Sequence, residues 1–200
     1  MKSPPSLILA STSTYRRQLL GRLRLPFSCS APAVDETRRN GESPFDLAVR
    51  LAKAKAVAVA LQHPDAWVIG SDQVAVRVDA SLGELILGKP GTEAHCVEQL
   101  RGSSGQAVSF MTAVAVVLHS GHATHEFIDT TQVIFRSLDD ATIARYVALE
   151  QPFDCAGGFK SEGLGITLCE SIDSTDPSAL IGLPLIQLGK VLRSVGFELP

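Results

Sequence analysis

Four stretches of the chain set hydroxyl, carboxylate or cationic side chains where an apolar run stops or where glycines cluster. The first is Leu9 to Arg17, in which Ser11-Thr12-Ser13-Thr14 leads into Arg16-Arg17. Free backbone N–H groups at a helix start attract anions, and the Ser11 and Ser13 hydroxyls add donors. Arg16 and Arg17 can each grip phosphate oxygens with paired bonds. The competing reading is an ordinary capped helix with solvated arginines. Cations in a helix's first turn oppose the macrodipole, however, and an anionic ligand removes that conflict. No glycine-rich phosphate loop accompanies these residues.

The second stretch is Gly70-Ser71-Asp72-Gln73, directly after the apolar run Trp67-Val68-Ile69. A carboxylate at the C-terminal end of a strand lies where α/β proteins place their ligands. Asp72 there could hold a divalent cation or activate water, or it could be a turn residue. The third is Gly88-Lys89-Pro90, whose proline holds Lys89 extended. Such a lysine suits a point-charge contact with phosphate, and a plain surface turn is the alternative. The fourth is Cys155-Ala156-Gly157-Gly158-Phe159-Lys160-Ser161-Glu162-Gly163-Leu164-Gly165. Lys160 and Glu162 among so many glycines point to a loop whose backbone comes close to a ligand.

Other groups carry less. His119, His122 and His125 are spaced by three around a turn, without an accompanying carboxylate or cysteine, and do not read as a metal site. Lys53 and Lys55 lie about 200° apart on a helix, so at most one of them faces a site. The cysteines Cys29, Cys96, Cys155 and Cys169 have wide, irregular spacings and read as reduced thiols.

The elements that must position these residues follow from pattern and capping. Leu7 to Ala10 reads as a buried strand and Tyr15 to Leu23 as a helix capped by Ser13 or Thr14. Ser43-Pro44-Phe45-Asp46 starts a helix that continues through Ala60. Trp67 to Gly70 is a second buried strand, ending at Ser71-Asp72-Gln73. Thr92 to Arg101 is helical, with Gly102 placed to terminate it. Ala107 to Leu118 and Thr124 to Phe135 form a hairpin about Ser120-Gly121-His122. Asp139 to Leu149 is a helix, Ile166 to Cys169 a short strand, and Pro184 to Val195 a closing helix. Strands interspersed with helices, plus one hairpin, indicate an α/β protein with a mixed sheet.

With 200 residues, 45% hydrophobic and 20% charged, the chain is long enough to bury a full core as one domain or as one domain with two lobes. The N-terminal Met1-Lys2-Ser3-Pro4-Pro5-Ser6 precedes too short an apolar run for a signal peptide, and no stretch is long enough to cross a bilayer. A net charge of −3 argues against nucleic-acid or membrane-surface binding, so any anionic ligand must meet a local cluster of cations.

Taken together and in order, these segments resemble the Maf family of nucleotide pyrophosphatases. The resemblance runs from Leu7 to about Leu192. It is carried by Leu9-Ala10-Ser11-Thr12-Ser13 with Arg16-Arg17, Val34-Asp35-Glu36-Thr37, Arg50-Leu51-Ala52 with Lys55-Ala56, and Gly70-Ser71-Asp72. Gly88-Lys89-Pro90, Cys155-Ala156-Gly157, Glu162-Gly163-Leu164-Gly165 and Ile181-Gly182-Leu183-Pro184-Leu185 complete it. It implies a single Maf-like domain over residues 1–200, an α/β fold related to inosine triphosphatases, with two lobes around a cleft that takes the substrate. It also implies a divalent metal (Mg or Mn) and a homodimer, while the wide, irregular cysteine spacing points to a cytoplasmic protein. The family's proton-accepting aspartate falls on Asp72, and its other polar positions on Ser11, Arg16, Arg17, Glu36, Lys55 and Lys89. Asp72 with Glu36 would hold the metal or orient water, while Arg16, Arg17, Lys55 and Lys89 neutralise a triphosphate. The chain departs from the family at Thr14, where proline is usual.

Within the family the chain is similar to the YceF-type subgroup, which hydrolyses 7-methyl-GTP. The specificity positions fall on Tyr15, Gln73 and Glu162, and the subgroup acting on dTTP and UTP differs at the last two. Methylation at N7 gives guanine a positive charge, which stacks on an aromatic face such as Tyr15. Glu162 can accept from the guanine N1–H and exocyclic amine while complementing that charge. The alternatives are another nucleotide for the same reaction, dTTP/UTP or a modified base, and a non-enzymatic nucleotide-binding regulator of cell division.

Overall fold

The computed structural model describes residues 5–200; the first four, part of the N-terminal segment read above as too short for a signal peptide, lie outside the described residues. In chain order the elements are β1 (Ser6–Ala10), α1 (Thr14–Gly21), β2 (Ser28–Ser30), α2 (Pro44–Ala60), β3 (Ala66–Asp79), β4 (Gly83–Leu87) and α3 (Glu93–Ser103). They continue with β5 (Ala107–Leu118), β6 (Ala123–Phe135), α4 (Asp140–Glu150), β7 (Cys169–Asp173) and α5 (Leu185–Ser194). Two short 3-10 segments, Ala156–Gly158 and Leu164–Leu168, precede β7. The strands follow the order β2-β1-β3-β5-β6-β7, with β4 paired to β3. β1 runs parallel to β2 and β3, whereas β3–β4 and β6–β7 are antiparallel. This is the mixed α/β architecture that the sequence pattern predicts.

The chain divides into two compact units: Met1–Asp72 with Thr112–Asp129 and Asp176–Pro200, and Gln73–Met111 with Thr130–Thr175. In the first, strand parity sorts the core into two layers. Leu7, Leu9, Trp67, Ile69, Val114 and Val116 pack against Leu19 and Leu20 of α1 and Leu188 and Leu192 of α5. Their neighbours Ile8, Ala10, Val68, Ala115 and Val117 pack against Ala56, Val59 and Ala60 of α2. Strands covered on both faces need apolar residues at successive positions, which is why Leu7-Ile8-Leu9-Ala10 shows no alternation. The caps are those the sequence indicates: Ser13 Oγ accepts the Arg16 N–H at 3.3 Å, and Ser43 Oγ accepts the Asp46 N–H at 3.1 Å.

Two local features of this unit bear on what it carries. α2 lies so close to β3 that a Cβ at Gly70 would overlap the Ala52 carbonyl oxygen and stand 2.5 Å from the Ala56 nitrogen. The irregular segment before α2 is tied to that helix by Arg50. Its guanidinium donates to both Glu42 carboxylate oxygens, at 2.5 and 2.9 Å, and to the Thr37 carbonyl at 3.0 Å. The forked Arg50 contact holds the Glu42 carboxyl down at about 2.

The second unit joins the C-terminal half of β3 to β4 in the register Ala75↔Leu87 to Asp79↔Gly83, and β6 to β7 from Gln132↔Asp173. Phe159 packs its ring 5.8 Å from Phe110 and 5.1 Å from Phe135.

Several boundaries differ from the sequence reading. β3 does not end at Ser71-Asp72-Gln73 but runs on to Asp79, because Val74, Ala75 and Val76 are buried and continue the ladder onto β4. α3 passes through Gly102 to Ser103; the glycine leaves room for the Arg77 guanidinium, which donates to its carbonyl. α1 ends at Gly21 rather than Leu23, where the poor helix propensity of glycine gives way to a turn. In place of a strand from Ile166, the 3-10 segment occupies Leu164–Leu168 and pairing begins at Cys169. The Ile166 N–H turns back to the Gly163 carbonyl at 3.4 Å, closing a helical turn in place of a strand ladder. The sequence reading contains neither β2, three residues with the polar sequence Ser-Cys-Ser, nor β4, whose apolar run Leu85-Ile86-Leu87 is only three residues long.

Two outcomes follow from this packing. Gly70→Ala lowers stability to urea by about 1–3 kcal/mol, an overpacking cost, whereas Gly21→Ala, with nothing near the added carbon, is neutral or stabilising. The Glu42 carboxyl is depressed in the folded chain, so its contribution is present above its ordinary pKa and fades as pH falls through about 2. Urea midpoints of the parent chain and Glu42→Gln therefore differ at pH 6 and converge as the pH is taken down towards 2.

Candidate active site

The parity of β3 distributes the residues around the first candidate site. Gly70 and Asp72 fall on the face towards α2, and Ser71 on the opposite face. Without a side chain at Gly70, α2 can settle close enough for Lys55 to reach Asp72: Nζ lies 2.6 Å from Asp72 Oδ1. The same nitrogen is 2.8 Å from Glu36 Oε1, so two carboxylates converge on one ammonium. The Lys55 and Asp72 side chains are 8% and 11% exposed while Glu36 is 61% exposed, so the cluster opens to solvent on the glutamate side. Lys53, about 200° round the helix, points away and pairs with Glu126 at 2.8 Å.

Electrostatics inside the cluster oppose one another. Burial pushes the Asp72 carboxyl above its ordinary value; the Lys55 ammonium and its hydrogen bond, then Arg16, pull it down, and the Glu36 charge pushes it up again. The Arg16 guanidinium is lowered by burial and raised by Asp72 and Glu36. Arg16 therefore belongs to the same charge set, although it stands on α1.

On the other face of β3, Ser71 Oγ donates to the Gly182 carbonyl at 3.0 Å, and Arg16 Nε donates to the same oxygen at 3.0 Å. That carbonyl is fixed by the turn before α5. Asp176 Oδ1 accepts from the Ser178 N–H and hydroxyl at 2.9 and 2.5 Å, and its Oδ2 accepts the Ile186 N–H at 2.6 Å. Ser178 Oγ accepts the Leu185 N–H at 2.8 Å. Asp176 and Ser178 thus cap a helix whose own N-cap, Pro184, offers no side-chain bond.

Beside the start of α1 a recess of about 310 Å³ is lined by Ser11, Thr12, Ser13, Thr14, Arg17, Cys29, Ser30 and Ala31. The Ser13 N–H donates to Ser11 Oγ at 3.1 Å, which folds the hydroxyl loop into the helix start. Hydroxyls, an exposed arginine and a helix N-terminus around a small recess suit phosphate oxygens. Tyr15 is half-buried on the same helix, and Gln73, half-buried, follows Asp72 on β3.

Lys89, Lys160 and Glu162 lie in the second unit. Lys89 is exposed and sits between Gly88, whose carbonyl accepts the Gly157 N–H at 3.1 Å, and Pro90, which is buried. Backbone bonding thus unites the lysine turn with the glycine-rich segment. Glycine is required at position 158, where φ is +63° and a Cβ would stand 2.6 Å from Cys96 Sγ. There the glycine serves close packing, in addition to any ligand. Lys160 pairs with Glu150, and Glu162 is exposed.

Glu36 and Asp72 are the carboxylates that converge, both on the Lys55 ammonium. Among the described residues no group of three or more His, Cys, Asp or Glu side chains forms an all-protein metal cage. A carboxylate pair that opens to solvent on the Glu36 side fits a hard divalent cation that takes its remaining ligands from water and phosphate. All four cysteines are free thiols, and burial pushes Cys96 and Cys169 up to about 11, which leaves them unreactive at neutral pH.

Sequence reasoning named Arg50 as part of the family pattern but gave it no role in securing the segment that carries Glu36, and it missed the Asp176–Ser178 turn that fixes the Gly182 carbonyl. Asp176-Pro177-Ser178 ahead of a helical run was a legible capping signal, whereas the partner of Arg50 was not.

A family model described as "Maf: Maf-like protein" matches residues 6–195. A protein of Alkalilimnicola ehrlichii named 7-methyl-GTP pyrophosphatase is 54% identical over 199 residues, covering 100% of this chain and 98% of its own length. One of the same name from Xanthomonas oryzae pv. oryzae is 52% identical over 201 residues, covering 98% and 100%. Among solved structures, the Staphylococcus aureus Ham1 protein superposes with a TM-score of 0.48 at 18% identity, over 65% of this chain and 71% of that one. With a family model that spans nearly its whole length and relatives this similar from end to end, the chain belongs to the Maf family.

Proposed function

We propose that this chain is a nucleoside triphosphate pyrophosphatase that hydrolyses 7-methyl-GTP to 7-methyl-GMP and pyrophosphate. The observation that carries the reading is the convergence of Asp72 and Glu36 on buried Lys55, within the field of Arg16. The names and end-to-end similarity of the relatives support it.

Hydrolysis between the α- and β-phosphates needs a water held in line with the leaving pyrophosphate and cations that absorb the developing charge. Asp72, kept partly desolvated, takes the proton from that water. A carboxyl raised by burial is a better base than a solvated aspartate, and Lys55 keeps enough of it ionised to act. In the first unit Lys55, Arg16 and Arg17 neutralise phosphate oxygens and the Ser11 hydroxyl donates to them; the point charge of Lys89 is what the family resemblance adds. Asp72 and Glu36 would hold a divalent cation, Mg or Mn, which when bound supplies further neutralisation of phosphate charge and acidifies a water. For the base, the resemblance points to three specificity positions: Tyr15 with a stacking face, Gln73 with an amide, and Glu162 with a carboxylate that favours the cationic 7-methylguanine ring.

The proposal extends to a homodimer in the cytoplasm. Four free thiols accord with a reducing compartment. The homodimer rests on the family resemblance, and sedimentation velocity decides it.

The test is pyrophosphate release from 7-methyl-GTP, GTP, dTTP, UTP, CTP and ITP, with Mg or Mn and with EDTA. Selective, metal-dependent hydrolysis of 7-methyl-GTP is the predicted result. Preference for another base overturns the specificity, and release from none overturns the enzyme. In Asp72→Asn, kcat falls about 100- to 10,000-fold, the usual worth of a general base, with the circular dichroism spectrum unchanged.

A further inference from the structure

The loop that carries Glu162 is governed from α4. Tyr146 and Glu150, one helical turn apart, both face it. The buried Tyr146 hydroxyl donates to the Gly158 carbonyl at 3.2 Å and accepts the Lys160 N–H at 3.1 Å. Glu150 uses both oxygens: Oε1 accepts from Lys160 Nζ at 2.7 Å and Oε2 accepts the Leu164 N–H at 2.7 Å. At Gly163 the backbone passes so near that a Cβ would run into the Glu150 carboxylate. Both ends of the segment are therefore fixed, and Ser161-Glu162 forms its free crest. Glu162 is exposed, with the Ser161 hydroxyl donating to its Oε2 at 3.4 Å.

The charges matter as much as the geometry. Lys160 and Glu162 are two residues apart and their formal charges sum to zero. A loop with no net charge gives a cationic base little reason to prefer it. Glu150 changes that sum to −1 and does so from beneath the loop, with its side chain 11% exposed. The Lys160 ammonium is held above its ordinary range first by the Glu150 hydrogen bond and, further down, by the Glu162 charge, so the three groups form one electrostatic set.

We propose that Glu150 is a positioning residue for base selection: it cancels the charge of Lys160 and pins the Leu164 backbone, leaving Glu162 as an uncompensated negative charge for a cationic base. This rests on the reading that Glu162 faces the 7-methylguanine ring. It also gives Lys160 a different task from the phosphate or base contact that the sequence suggests. Lys160 is the strut through which α4 holds the loop.

The experiment compares kcat/KM for 7-methyl-GTP with that for GTP in Glu162→Gln, Glu150→Gln, Lys160→Met and the double variant Glu150→Gln/Lys160→Met. In Glu150→Gln the ratio falls about two- to fivefold, the scale of one partly exposed charge interaction, while kcat on GTP is kept. In Lys160→Met the ratio holds or rises, and the double variant returns it to near the parent value. A purely structural role would not restore selectivity by a second substitution. Low selectivity that persists in the double variant overturns the inference. So does an unchanged ratio in Glu150→Gln when Glu162→Gln lowers it, which leaves the reading of Glu162 intact. An unchanged ratio in Glu162→Gln overturns that reading itself. If Lys160→Met instead raises KM equally for both nucleotides, Lys160 is a phosphate ligand and the strut role is wrong. Should Glu150→Gln fail to fold, Lys160→Met alone decides: a lowered ratio contradicts the charge argument and a raised one supports it.

Discussion

A buried ammonium must be neutralised or it destabilises the fold, and around Lys55 that requirement organises the first unit. Its partner Asp72 is itself nearly buried in the middle of a strand, a position where a lone carboxylate would be costly. Each group makes the other tolerable, and Glu36 completes the set from a segment open to solvent. The pairing depends on a short approach between α2 and β3, which Gly70, Ala52 and Ala56 permit because none carries a side chain beyond Cβ. Small residues at that crossing place charge where the strand would otherwise hold an apolar residue.

The other face of the same strand repeats the logic with dipoles. Ser71 and Arg16 share the Gly182 carbonyl, and Asp176 and Ser178 hold the turn that presents it. One residue of β3 therefore engages α2 while its neighbour engages the entry to α5. The alternation that sorts the apolar core into two layers also sorts the polar residues at its end. Arg16, bonded on one face and within the field of Asp72 on the other, couples the two sets. In the second unit α4 does comparable work, with Tyr146 and Glu150 fixing a loop too rich in glycine to fix itself.

Much of this was legible in the sequence because it depends on local signals. Ser13 and Ser43-Pro44 mark their helices by capping chemistry, and α2 ends at Ala60 as its apolar pattern indicates. Continuous apolar runs gave the buried strands. The errors arise where a distant partner satisfies what looks like a stop signal. Asp72 reads as a turn residue until Lys55 is seen to neutralise it, so β3 was cut short. Gly102 reads as a helix terminus until Arg77 is seen against it. The strand assigned to Ile166 gives way to a 3-10 turn, with Glu150 holding the Leu164 N–H at its start and the Ile166 N–H bonded back to Gly163. The candidate residues were found through their types and order along the chain. Their supports, Arg50 with Glu42, Asp176 with Ser178 and Tyr146 with Glu150, were not, since each acts between segments that only the fold brings together.

The central claim is that Lys55 and Asp72 are held in place by one another, and a double-mutant cycle tests it most directly. Unfolding by urea would be measured for the parent chain, Lys55→Met, Asp72→Asn and the combination. Each single change strips a buried charge of its nearest partner, leaving Lys55 with only the exposed Glu36 or Asp72 with only the field of Arg16, whereas the double change removes both. The account predicts a coupling energy above about 1 kcal/mol, with the double variant more stable than the sum of the singles implies. Additivity within about 0.5 kcal/mol would show that the two charges do not depend on each other, and would contradict the account.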